Sequence, residues 1–333
     1  MTLDPFSQEQ ARALINLEQR YQAWMACERA LFAMPYDLRR KQVAGRSYLY
    51  EIHDRGGNGR SLGPWSPENE ARFAAYHERK PATKSRRDAS RTMLEESGRL
   101  CRALRVPMLA DAAGAILREA DRRGLLGSHI LVVGTNAMPA YAVEASGFLR
   151  DAPDETDDFD MAWSASEADA GGQSIWSMLK AVDPTYTVNM ERTFQARTAK
   201  AYEVEIVVAP SRAQTVSRSD RPQPLPLPEQ EWLLNGRPAD RVVVCRDGSP
   251  ARVVAPDPRW FALQKLWMSG QAKRHPLKRA KDLKQGMALL DAVQEAMPQY
   301  PLDADFERSI PDELTTSYEA WTHRSREPRR KPW

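Results

Sequence analysis

A chain of 333 residues, 42% of them hydrophobic and 28% charged, holds enough apolar material for a sizeable core and reads as globular rather than disordered. Its net charge of +3 does not by itself argue for nucleic acid, and no apolar run reaches the ~20 residues of a membrane-spanning helix. Cys27, Cys101 and Cys245 are odd in number and far apart, which argues against a disulfide framework or a thiolate metal site and fits a reducing, cytoplasmic setting.

Residues 7–33 read as an amphipathic helix. Ser7 and Gln10 have capping-box spacing, and Leu14, Leu17, Tyr21, Trp24 and Met25 form an apolar stripe. Tyr48, Tyr50 and Ile52 then alternate, glycines turn the chain and Arg60–Leu62 return it, which predicts a β-hairpin over 46–63. Ser66 followed by Pro67 starts another helix. Residues 85–105 and 108–123 read as two helices separated by Pro107, the first dense in Arg (Arg86, Arg87, Arg91, Arg99, Arg102, Arg105). The segment 1–125 is thus expected to be helical with a hairpin insert.

The pattern changes at Gly124–Gly127. A buried strand is expected at 129–134, a helix at 136–145 despite Pro139, and a second strand at 158–164. A Gly-containing stretch, Ala170-Gly171-Gly172, leads to a helix near 174–182, and TYTVN, FQART and YEVEIVV read as strands. Residues 126–212 therefore form a compact α/β unit. A Pro-rich connector and a hairpin (VVVCRD turning at GSP into ARVVAPD) fill 213–257. Helices are expected at 258–269, 276–297 and 312–322, within a C-terminal helical region 258–322 that ends in a basic tail, 323–333.

Charge is uneven. Arg and Lys crowd residues 39–123 and 273–284 and the tail, while acid concentrates in DAPDETDDFD. Within that acidic run, Asp158 and Asp160 occupy alternate strand positions and so aim both carboxylates at one face, with Phe159 and Met161 on the other. Paired hard oxygen donors suit Mg2+ or Mn2+. A third carboxylate is expected from a neighbouring strand: Glu205 in YEVEIVV, with Glu203 in reserve. Gly134, Thr135 and Asn136 make a small strand-to-helix turn whose amides and hydroxyl can hold phosphates. Each piece alone is weak, since an acidic pair arises readily in a chain with 45 acidic residues. Their order is what points to nucleotidyl transfer.

These features resemble the nucleotidyltransferase-like proteins of the DNA polymerase β superfamily, which carry a Gly-containing turn, two aspartates alternating on a strand and a later acid on another strand. VVGTNAMPAY, TDDFDM, YEVEIVV, PDPRWFALQKLW and PLKRAKDLKQ occur in the order of one bacterial branch, and a more distant similarity runs to AbiEii-type toxin nucleotidyltransferases. The resemblance implies an α+β fold with a mixed-sheet nucleotidyltransferase core between helical regions. It also implies transfer of an NMP from an NTP to an acceptor hydroxyl with release of pyrophosphate. On this reading Asp158, Asp160 and Glu205 hold the metal and, with Asp282, form the catalytic set, while Gly134, Thr135, Asn136 and Lys265 bind the NTP. The acceptor favoured by the basic helices and the toxin-like motif is RNA, such as a tRNA 3′ end; a protein side chain or a small molecule is the alternative. An antitoxin is the further partner implied, and no membrane is. Thr135-Asn136 in place of Gly-Ser and Glu205 in place of Asp depart from the family pattern. The competing reading is a non-catalytic module of the same fold that grips nucleic acid.

Overall fold

The structure is a computed structural model that describes residues 3–153, 156, 158–166 and 174–326. Ala170-Gly171-Gly172 and tail residues 327–333 lie outside the described residues, as does part of the acidic run before Asp158. The elements are, in order, β1 (Leu3–Pro5), α1 (Gln8–Phe32), β2 (Asp37–Val43), β3 (Arg46–Ile52), β4 (Gly59–Pro64), α2 (Pro67–Ala103), β5 (Met108–Leu109) and α3 (Asp111–Arg122). Then follow β6 (Ile130–Val132), α4 (Met138–Glu144), β7 (Gly147–Leu149), β8 (Asp158–Trp163), α5 (Ile175–Val182), β9 (Thr187–Val188), β10 (Gln195–Arg197), β11 (Glu203–Val208) and β12 (Leu225–Pro226). The chain ends with β13 (Ala239–Cys245), β14 (Pro250–Ala255), α6 (Pro258–Gly270), α7 (Pro276–Ala296), α8 (Ala304–Ser309) and α9 (Asp312–Arg326).

The N-terminal region is an antiparallel helical pair with a sheet between its helices. The capping box forms at α1: the Gln10 amide donates to Ser7 Oγ at 3.1 Å, and Ser7 N–H donates to Gln10 Oε1 at 2.9 Å. Contacts run down the pair from Gln10 with Leu104, through Arg20 with Ser97 and Arg87 with Glu28, to Lys80 with Tyr36, as two helices in opposite directions require. Two sequence expectations change here. The stretch after Ser66 is a single helix that runs through Pro81, because one lost backbone bond is minor beside packing along the whole of α1. The hairpin is also a three-stranded sheet, since DLRRKQV, poor in β-branched residues, pairs along the whole of β3.

The central sheet runs β6-β8-β11-β10-β9, and β12 extends β11 at its far end. β6 is antiparallel to β8, β8 parallel to β11, and β11 antiparallel to β10, so the sheet is mixed. Phe159, Met161, Val204 and Ile206 are almost wholly buried on its inner face, so the sequence alternation fixes which face carries the acids. A second sheet, β14-β13-β5, packs beside it under α3 and α4. β1 pairs with β7, two short strands that periodicity does not reveal. α6 packs against α7 and α9 in the C-terminal region, and Trp260 of α6 meets Phe306 of α8 edge to face at 5.4 Å. Among the described residues no helix is long and apolar enough to cross a membrane, and the three cysteines are free. Burial pushes the Cys245 thiol up to about 11, in keeping with a strand residue rather than a nucleophile.

Candidate nucleotidyl-transfer site

The parallel register of β8 and β11 sets Glu203 against Asp158 and Glu205 against Asp160. Directly paired residues share a face, so four carboxylates line one side of two adjacent strands. The face continues onto β10, where Gln195 lies opposite Glu205 and Arg197 opposite Glu203. Gln195 Nε2 donates to Glu203 Oε2 at 2.9 Å and to Glu205 Oε1 at 3.1 Å. Arg192 reaches Glu205 Oε1 at 3.0 Å, and Arg197 reaches Glu203 Oε1 at 2.9 Å.

The compensating charge is unequal across this face. Glu203 and Glu205 each have an arginine. Asp158 has the Thr156 hydroxyl and, at 4.0 Å, Lys278 Nζ. Burial, reinforced by the charges of Asp158 and Glu205, holds the Asp160 carboxyl up at about 7 against the pull of Lys265 and Lys278. This donor chemistry, two adjacent carboxylates with one of them short of positive charge, fits a hard divalent cation. The Glu205 carboxylate is turned to Arg192 and Gln195, and among the described residues no three His, Cys, Asp or Glu side chains close into a metal cage.

Gly134 seals the turn against Asp160. Its φ is +68°, a conformation that disfavours any side chain, and a Cβ there would lie 2.2 Å from Asp160 Oδ2. The Val133 amide donates to the Asp160 carbonyl at 3.1 Å, which ties turn to strand. Asn136 Nδ2 donates to the Asp158 carbonyl at 2.8 Å. The Thr135 hydroxyl is buried and accepts from Gln285 Nε2 at 3.4 Å; the same Nε2 donates to the Pro153 carbonyl at 2.5 Å. Thr135 and Asn136, two of the four residues expected to bind the NTP, are therefore held by protein partners in this arrangement, and the turn's backbone is what faces Asp160.

α6 and α7 place the remaining two expected residues. Lys265 is neither a surface lysine nor open to the site: its side chain is 6% exposed and its Nζ lies 2.9 Å from Asp282 Oδ1. Asp282 Oδ2 accepts from Arg274 Nε at 2.8 Å. Asp282 is thus the buried centre of an ion triad that ties α7 to α6 and to the connection between them, with both of its oxygens engaged. Lys278, one turn before Asp282, points to Asp158 instead. Lys281 is half-buried, and its ammonium is pushed down by burial and by the neighbouring Lys265. Sequence reading did not find Gln195, Arg192, Gln285 or Lys278. Only Lys278 carried a signal, as the cation one turn before the KD pair; the others join the site through tertiary contacts.

No curated protein matches this chain significantly. A crystal structure of an antigenic nucleotidyltransferase-like protein from Paracoccidioides brasiliensis is 16% identical, with a TM-score of 0.38, over 66% of this chain and 90% of that one. A nucleotidyltransferase family model matches residues 111–310 and so spans Gly134, both aspartates, Glu205, Lys265 and Asp282. With more than half of its length inside that match and a mixed sheet flanked by helices, the chain belongs to this nucleotidyltransferase family and has an α+β fold.

Proposed function

We propose that the protein transfers an NMP from an NTP to an acceptor hydroxyl, releasing pyrophosphate, at the face formed by Asp158, Asp160 and the Gly134 turn. The observation that carries this reading is the register that sets Asp158 and Asp160 on one face with the acids of β11, Asp160 lying directly against a turn that admits no side chain. Asp158 and Asp160 would hold Mg2+ or Mn2+, and Glu205, in register with Asp160, would join them on release of its Arg192 pair. A cation there supplies neutralisation of the phosphate oxygens and acidifies a bound hydroxyl.

The chain's own residues do the positioning. The Gly134 turn brings backbone within reach of a phosphate beside Asp160. Lys278, 60% exposed and adjacent to Asp158, is placed to meet a triphosphate from the open side. Lys265 acts from behind: Asp282 holds its ammonium in the protein, where its charge steadies Asp160 rather than touching phosphate. Asp282 is a positioning residue through Lys265 and Arg274. Gln285 ties Thr135 of the turn to Pro153.

RNA is the acceptor we favour. The support is the face of β2 and β3 where Arg39, itself paired with Asp37 at 2.8 Å, lies opposite Tyr50 and Lys41 opposite Tyr48, with Lys41 Nζ 4.9 Å from the Tyr50 ring. Cations interleaved with aromatic rings suit a phosphate backbone with unstacked bases. The Arg-rich stretch of α2 is partly spent on internal pairs: Arg87 with Glu28 and Asp88, and Arg91 with Glu95. A toxin-like role with a cognate antitoxin extends the same reading. The test is incubation with each α-labelled NTP, Mg2+ or Mn2+, and total RNA or lysate protein. Label should enter RNA with wild type and fail with Asp158→Ala/Asp160→Ala. Label in protein alone would move the acceptor from RNA to a side chain, and no transfer from any NTP would favour a binding module.

A further inference from the structure

Asp160 and Glu205 lie side by side in register, and each has a further neighbour on the side away from the other. Gly134 closes on Asp160, and Arg192 reaches Glu205 Oε1 at 3.0 Å. Across the face the order is therefore Gly134, Asp160, Glu205, Arg192. In-line displacement at phosphorus keeps the attacking and leaving oxygens on opposite sides. With the NTP phosphates at the Gly134 turn, the acceptor hydroxyl comes from the Arg192 side.

Arg192 lies in the loop between β9 and β10, and the backbone that carries it is tied down. Asn189 Oδ1 accepts from the Glu191 and Arg192 backbone amides at 3.0 and 3.2 Å, and the Gln195 backbone amide donates to the Arg192 carbonyl at 2.8 Å. Asn189 Nδ2 donates to Gln195 Oε1 at 2.7 Å, and Gln195 Nε2 in turn donates to both glutamates. The freedom is in the Arg192 side chain, which is 51% exposed. Each end of its ion pair also has a second partner. Glu205 keeps Gln195 Nε2 at 3.1 Å when Arg192 leaves, and the Arg192 guanidinium lies 4.9 Å from the centre of the Phe194 ring. Parting the two strands neither group, and a pair this open to solvent is weakly held. A cation on Asp158 and Asp160 competes with Arg192 for Glu205. A phosphate competes with Glu205 for Arg192, because a guanidinium pairs with phosphate as it does with carboxylate.

We propose that Arg192 binds a backbone phosphate of the RNA acceptor, giving up Glu205 as Glu205 turns to the metal. The proposal rests on the transferase reading above, and it makes acceptor binding and completion of the metal site favour one another.

Binding of a fluorescein-labelled oligouridylate to the full-length protein is followed by anisotropy, at one salt concentration and without nucleotide. In EDTA, Glu205→Gln frees Arg192 and should tighten binding about tenfold through a new charge-assisted contact. Arg192→Ala should change binding there by less than about twofold, because the arm is already taken by Glu205. Arg192→Ala/Glu205→Gln should lose most of the gain, whereas relief of negative charge alone would leave it intact. Mn2+ should tighten binding by wild type about fivefold or more and by Arg192→Ala much less, which decides the matter if Glu205→Gln does not fold. A gain that survives in the double variant, or an equal Mn2+ effect with and without Arg192, would overturn the proposal. Label transfer to RNA is a separate readout, and its persistence beside either result would remove this role of Arg192 and leave the transferase reading standing. No binding by wild type would overturn the proposal together with RNA as the acceptor.

Discussion

Two charged clusters in this molecule are built on opposite principles. The Lys265–Asp282–Arg274 triad is complete around a buried Asp282: each of its oxygens has a cation at hydrogen-bonding distance. The carboxylate face of β8 and β11 is incomplete, with four acids on one side, cations clasping Glu203 and Glu205, and Asp160 held up at about 7. A finished cluster holds a fold together. In the proposed function an unfinished one takes its charge from outside, and here it lies against a turn with no room for a side chain. The first should therefore respond to mutation in stability, the second in activity.

The largest effect is expected on transfer. Asp158→Ala or Asp160→Ala should lower it by at least about 10³-fold, as loss of a residue central to catalysis does, with the circular dichroism spectrum unchanged. Gly134→Ala should abolish transfer too, but with a cost of about 1–3 kcal/mol in denaturant unfolding, since the new Cβ meets Asp160 in a left-handed backbone.

The triad should behave in reverse. Asp282→Asn leaves Lys265 buried without its counter-charge and should cost about 3–5 kcal/mol, with part of the loss recovered in Lys265→Met/Asp282→Leu. Any fall in activity should then follow the fraction folded and the KM for NTP rather than a pH profile.

A smaller and opposite effect sharpens the contrast. The Asp160 carboxyl titrates higher folded than unfolded, so the fold prefers its protonated form, and stability is lost as pH rises from about 4 through about 7. With EDTA present, Asp160→Asn should raise Tm over wild type by about 2 °C or more at pH 8, and the difference should vanish near pH 3, where both states are protonated. Equal Tm values at pH 8 would remove the idea of an uncompensated site. Arg192→Ala should change least: its side chain is 51% exposed, so stability should stay within about 0.5 kcal/mol, while release of Glu205 should tighten Mn2+ binding.

The sequence was legible where one periodicity decided the outcome. Asp158 and Asp160 share a face because Phe159 and Met161 must be buried, and YEVEIVV obeys the same alternation, so both acidic faces could be read before any coordinates. The capping box at Ser7 and the N-cap at Ser66 are equally local. Long-range pairing was not legible. The register of Glu205 with Asp160 and Gln285 reaching Thr135 depend on elements far apart in the chain, while the hold of Arg192 and Gln195 on Glu205 depends on the pairing register of the neighbouring strands β10 and β11. Lys265 illustrates the limit: its position in FALQKLW is compatible with a surface helix, and only the approach of α7 turns it inward to Asp282. β2 and β7 escaped because short or Arg-rich strands carry no alternation to read.

The most direct measurement is Mn2+ binding followed by electron paramagnetic resonance on the full chain, wild type against Asp158→Asn/Asp160→Asn, with Asp282→Asn as the control for a disturbed neighbouring charge cluster that supplies no ligand to the metal. The account predicts bound Mn2+ in wild type, its loss in the double variant and its retention in the folded fraction of Asp282→Asn. Equal Mn2+ binding by wild type and the double variant would contradict it.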